Sequence, residues 1–241
     1  MLGAPMFAPS VLLFAVLGGL LPSLVWLAFW LREDKSCPEP RFLILLTFLA
    51  GALAVPLVIP LERAVATVSS GTLMVVLWSM IEESMKFLAA YFIVLRRKEM
   101  NEPIDAVIYM ITIALGFAAA ENALYLLQPL SSDQLTLSLV TGNMRFIGAT
   151  LLHTLASATI GLCIALTFYK GHKARDIAAS IGIVLATSLH ALFNFSIISL
   201  SGKSEGIMTV FLGIWIGVVA LILLFERIKA IPRPLQVPIS N

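Results

Sequence analysis

The 241-residue chain is 59% hydrophobic and only 12% charged, with a mean hydropathy of +0.98. That balance excludes a water-soluble domain and describes an integral membrane protein whose constant partner is the lipid bilayer. The formal charge of +2 sits in short basic loops and needs no nucleic-acid partner.

Apolar runs of about 20 residues, each long enough as a helix to cross a hydrocarbon core of roughly 30 Å, fall at about 10–31, 42–61, 71–95, 104–127, 144–169, 175–200 and 206–226. The expectation is an all-α membrane protein, a polytopic bundle of about seven transmembrane helices. The first run lacks a basic leader and is followed by Arg32, so it reads as an uncleaved N-out helix. With that orientation, twelve loop Lys and Arg, from Arg32 and Lys35 to Lys229 and Arg233, fall inside, against Arg63 and Lys203 outside. The alternation predicts an N-out, C-in chain.

Between the runs the loops are short, except for an outside loop at about 128–143 that contains Gln128, Pro129, Ser131 and Ser132. One domain is expected over 1–241, with a motif-bearing core at about 71–200. A cytoplasmic tail follows at 227–241, where Pro232, Pro234 and Pro238 oppose a helix. Cys37, in a loop, and Cys163, inside the fifth run, suggest no disulfide framework.

Four of the runs carry ionisable groups where burial is costly, which makes those groups functional candidates. They are Glu82-Glu83 with Lys86, Phe117 with Glu121 and Asn122, Arg145 followed by His153, and His190 with Asn194. Counted from the outer helix ends at about 1.5 Å per residue, Glu82 and Glu83 lie roughly 16–18 Å deep, Glu121 around 10 Å, and both histidines near 15 Å. All four segments therefore place their polar groups in one layer, in the outer half of the membrane. On an ideal helix Glu82 and Glu83 point about 100° apart, so the two cannot share one task. Glu82 shares a side with Lys86, and His190 with Asn194.

A carboxylate in an apolar layer is a candidate general base, a histidine can share its water, and an Asn amide can donate to an oxyanion. Two histidines and a glutamate would alternatively hold Zn²⁺ with one position open for water, although no HExxH pair is present. Buried Glu, His and Lys are also the parts of a proton relay, so a proton-coupled transporter is the rival class. No internal repeat or broken motif helix supports it.

In order along about residues 78–195, Glu82-Glu83-x-x-Lys86, Phe117-x-x-x-Glu121-Asn122, Arg145 with His153, and His190-x-x-x-Asn194 resemble the four signatures of the PrsW family. These are membrane-embedded proteases related to the CAAX-processing and bacteriocin-processing (Abi/CPBP) enzymes. The resemblance implies a glutamate-dependent, metal-independent intramembrane protease acting on a single-span membrane protein. The founding role of the family is site-1 cleavage of an anti-sigma factor. By analogy Glu82 activates water, Glu83 and Lys86 stabilise the site, and His190 with Asn194 binds the oxyanion. The CAAX enzymes have His where this chain has Glu121, which leaves His153 as the expected partner of the water.

Overall fold

A computed structural model describes residues 7–33, 38–132, 134–200 and 204–232. These form α1 (Pro9–Glu33), α2 (Arg41–Val68), α3 (Gly71–Ala90), α4 (Pro103–Ser131), α5 (Leu135–Met144), α6 (Thr150–Leu166), α7 (His172–Ser199) and α8 (Ser204–Lys229). Tyr91–Leu95 and Arg145–Ala149 are π-helical turns that prolong α3 and precede α6.

Among the described residues five helices, α1, α2, α4, α7 and α8, are long and apolar enough to cross a membrane. The other two predicted runs are α3, with Glu82, Glu83 and Lys86 inside its 20 residues, and α6, apolar but only 17 residues long. Both depart from a plain apolar span in the segments that carry motif residues. Outward faces of α1, α2, α7 and α8 expose Phe14, Leu53, Leu57, Val184, Leu192 and Leu212, as a lipid-facing surface requires.

The expected outside loop at 128–143 is a correction. Helix α4 continues to Ser131 and α5 follows within a few residues. Beside a bilayer, coiling satisfies backbone groups that an open loop would leave to lipid. Arg227–Lys229, expected in the tail, close α8. Residues 233–241 of that tail, like Cys37, lie outside the described residues.

Helix α4 is the axis of the bundle. It is apolar on all sides and buried continuously from Pro103 to Ala119, as a helix enclosed by neighbours must be. Pro103 opens it at a position that needs no N–H. The Asp105 carboxylate accepts the Asn101 and Glu102 amides at 2.8 Å each.

Small residues let the neighbours approach α4 closely. A Cβ on Gly51 of α2 would overlap the Ile113 carbonyl of α4, and one on Gly116 of α4 would overlap the Phe48 carbonyl of α2. Gly116→Ala is therefore expected to push α2 from α4 and destabilise the fold by about 1–3 kcal/mol. Thermal unfolding in detergent checks this, and a Tm equal to wild type would refute the close approach.

Ser69, Ser70 and Gly71 join α2 to α3, with Gly71 at φ +60°, a conformation open to glycine at no steric cost. The tight turn lays α3 back along α2, where Trp78 Nε1 donates to the Glu62 carbonyl at 3.0 Å. That contact brings the end of α2 against the motif face of α3.

Candidate active site

Helices α2, α3, α4, α6 and α7 surround a cavity of about 520 Å³ into which Glu82, Glu121, Arg145, His153, His190 and Asn194 all open. Phe117 forms part of its wall. Glu83, Lys86 and Asn122 stand behind that wall, each at most 2% exposed. All ten candidate residues thus belong to one cluster, divided into groups that face the cavity and groups that support them.

The adjacent glutamates divide as their helical angle requires. Glu83 is wholly buried and accepts from Lys86 Nζ at 2.7 Å, His190 Nδ1 at 2.9 Å and Ser157 Oγ at 2.9 Å. Three donors on one carboxylate make it the junction of α3, α6 and α7. Glu82 faces the cavity, with Lys86 Nζ 3.5 Å from its Oε2, and that oxygen is buried without a hydrogen-bond partner. A buried oxygen left unsatisfied is costly, and one that faces a cavity has room to take a partner there.

Both histidines are oriented by carboxylates. His190 donates from Nδ1 to Glu83, which turns its Nε2 toward Glu82, 3.9 Å from Oε2. His153 donates from Nε2 to Glu121 at 2.9 Å. Its Nδ1 lies 2.8 Å from Lys86 Nζ and 4.0 Å from Glu82 Oε2. The two rings meet edge to face, 5.0 Å apart. Phe117 packs 5.5 Å from the His153 ring and lies under the Lys86 ammonium at 4.2 Å.

Arg145 neutralises Glu121, with Nη2 2.5 Å from Oε2, while its Nε donates to Asn122 Oδ1 at 2.5 Å. Asn122 in turn donates to Thr150 at 2.9 Å. Eight residues on a plain α-helix would set Arg145 about 80° away from His153. The π-helical turn at Arg145–Ala149 rotates each residue by less and brings both to the same Glu121 oxygen. Such turns are common at functional sites.

Sequence reasoning missed Glu62 and underused Ser157. Ending the second run at 61 left Glu62 as a boundary residue. Helix α2 instead carries on to Val68 and points Glu62 into the cavity, within hydrogen-bonding reach of the Glu82 side chain. The apolar continuation Ala64, Val65, Ala66 and Val68 was the available signal. Ser157, an uncharged residue inside an apolar run, is the α6 donor to Glu83.

The three ligand-capable atoms of Glu82, His153 and His190 lie within 4.8 Å of one another. Zinc binds N and O at about 2.0–2.2 Å in a tetrahedral array, which sets neighbouring donors about 3.3–3.6 Å apart. The 3.9 and 4.0 Å separations from Glu82 stand a few tenths of an ångström outside that spacing, within reach of small side-chain rotations. Each histidine also bonds a carboxylate through its far nitrogen, the arrangement that fixes tautomer and raises basicity at metal sites. The donor set fits a divalent ion.

A family model described as "PrsW family intramembrane metalloprotease" matches residues 39–225. The chain belongs to the PrsW family. It is an intramembrane protease of the bacterial membrane. Protease PrsW of Clostridioides difficile (strain 630) is 28% identical over 185 residues, 73% of this chain and 76% of that one. Protease PrsW of Geobacillus kaustophilus is 33% identical over 115 residues, 45% of this chain and 50% of its own. Protease PrsW of Bacillus subtilis is 24% identical over 194 residues, 78% and 85% of the two chains. No solved structure matches the chain. The PrsW match includes all four motif segments.

Proposed function

We propose that the cavity hydrolyses a peptide bond of a membrane-anchored protein, with Glu82, His153 and His190 as the ligands of a catalytic zinc. The observation that carries this reading is the Glu82 oxygen without a hydrogen bond that faces His190 Nε2 and His153 Nδ1, each histidine oriented by its own carboxylate. Bound there, zinc would polarise the scissile carbonyl and acidify a water.

The protein's own groups do the rest. Glu62, beside Glu82 in the cavity, takes the proton of the attacking water and returns it to the leaving amine. Asn194, one turn beyond His190, donates its amide to the developing oxyanion. Glu83, itself held by Lys86, orients the His190 ring, and Glu121, held by Arg145, orients the His153 ring. The apolar wall of Val58, Trp78, Phe193 and Ile197 takes the side chains of a substrate segment and keeps bulk water out.

A metal-free mechanism, in which Glu82 and His153 activate water directly, has one observation of its own. The Lys86 ammonium stands 2.8 Å from His153 Nδ1, among the atoms that would bind an ion. Elemental analysis with turnover separates the two. About one zinc per chain is expected, chelation should abolish cleavage of a single-span test protein, and added zinc should restore it. Full turnover of the stripped enzyme would establish the glutamate mechanism in its place.

Seven spans with the N-terminus outside follow if α3 and α6 cross together with the five longer helices. The site then lies in the outer half of the membrane, suited to site-1-type cleavage of a substrate such as an anti-sigma factor near its extracytoplasmic boundary. Kinship with the CAAX-processing enzymes rests on the Glu82-Glu83 pair and on His190-x-x-x-Asn194. A reporter fused after Asn241 should behave as cytoplasmic, and an extracytoplasmic signal would overturn the orientation.

A further inference from the structure

The far end of α3 borders a second cavity, also of about 520 Å³, that shares no residue with the active site. Arg96 follows Glu82 by fourteen residues, which sets the rim of this cavity about 20 Å along the helix axis from the glutamate. Its floor is apolar, built from Phe87, Tyr91, Ile164 and Ala179, and its rim carries Arg96, Arg97 and Arg175 with His172. Asp176 is the one carboxylate in its lining, so the arginines leave an excess of positive charge.

The arginines are held rather than loose. Arg96 lies 5.4 Å over the Tyr91 ring, and Arg175 lies 5.8 Å over Phe168 while bonding His172 Nδ1 at 2.8 Å. Arg97 Nε donates to the Ile93 carbonyl at 2.5 Å. Each of these contacts leaves guanidinium N–H groups unused, and planar guanidinium forks match phosphate oxygens in pairs. The apolar run of α3 ends at Leu95 and that of α7 begins at Ile177. The basic rim therefore stands at the membrane–water boundary and the apolar floor within the hydrocarbon.

An anionic phospholipid presents its groups in that same order, phosphate above and acyl chain below. We propose that this cavity binds one such lipid, its phosphate held by Arg96, Arg97 and Arg175 and its acyl chain lying over Phe87 and Ile164. The volume falls within the range of about 300–1,000 Å³ usual for small-molecule sites, and basic pockets between membrane helices select anionic headgroups. A free phosphate would satisfy the rim and leave the apolar floor uncovered.

The test uses the full-length protein in nanodiscs of phosphatidylcholine with a minor fraction of phosphatidylglycerol, the lipids retained after extraction being counted by native mass spectrometry. A parallel arm adds inorganic phosphate as competitor. Phosphatidylglycerol should be retained in preference to phosphatidylcholine. Arg96→Gln and Arg175→Gln should each weaken that retention about five-fold, the effect of one basic residue near an anionic lipid. Lys98→Gln, which removes a charge at the same boundary from a residue that does not line the cavity, should leave it unchanged. Wild-type cleavage rates in the variants confirm that they are folded. Equal retention of the two lipids, an equal loss in Lys98→Gln, or displacement of the lipid by inorganic phosphate would each overturn the proposal.

Discussion

Glu82→Gln is expected to abolish peptide-bond cleavage, by at least about 10²–10⁴-fold, while the protein stays folded. The amide keeps the shape of the carboxylate. It loses the charge that attracts an ion and the basicity that would receive a proton. Glu82 carries little of the packing, because its Oε2 bonds no protein group and its nearest cation, Lys86, is held more closely by Glu83. The variant should therefore unfold near the wild-type temperature, and under the zinc reading it should also purify with less metal. Turnover, metal content and Tm of the one preparation check all three. Near wild-type turnover in Glu82→Gln would remove this residue from the chemistry.

Its neighbour should behave in the opposite way. Glu83→Gln is expected to destabilise the fold by about 3–5 kcal/mol, because removing one partner of a buried ion pair leaves the other uncompensated. At about 2–4 °C per kcal/mol for a chain of this size, Tm should fall by roughly 6–20 °C. The loss is large because three helices meet at this carboxylate, through Lys86 on α3, Ser157 on α6 and His190 on α7. With Glu83 neutral, the Lys86 ammonium, wholly buried, keeps only the more distant Glu82 as a counter-charge. Activity should fall with stability and return in part at low temperature. A Glu83→Gln protein with wild-type Tm and no activity would exchange the roles assigned to the two glutamates.

Much of this was legible in the order of the residues. Composition established the membrane, and the rarity of charge inside apolar runs singled out Glu82, Glu83, Lys86, Glu121, His153 and His190, since an ionisable group there costs too much to be incidental. Helical rise placed them in one layer, and the 100° step between adjacent residues separated Glu82 from Glu83 before any neighbour was known. These inferences need only the period of a helix and the thickness of a bilayer, and both act locally.

What the tertiary structure alone decided is which face of each helix meets which. Rise and period give depth and relative angle along one helix. The rotation of α2, α4, α6 and α7 about their own axes depends on close approaches such as Gly51 against Ile113 and Gly116 against Phe48. Only that packing turns Glu62 toward Glu82, makes Glu121 shared by His153 and Arg145, and leaves Glu82 Oε2 without a hydrogen bond. The π-helical turn before α6 also lies beyond periodicity, whereas the reach of α2 past residue 61 was legible in the apolar Ala64, Val65, Ala66 and Val68. A metal-binding arrangement is a property of three side chains brought within 4.8 Å from three helices. The sequence holds its parts, and the packing of the bundle brings them together.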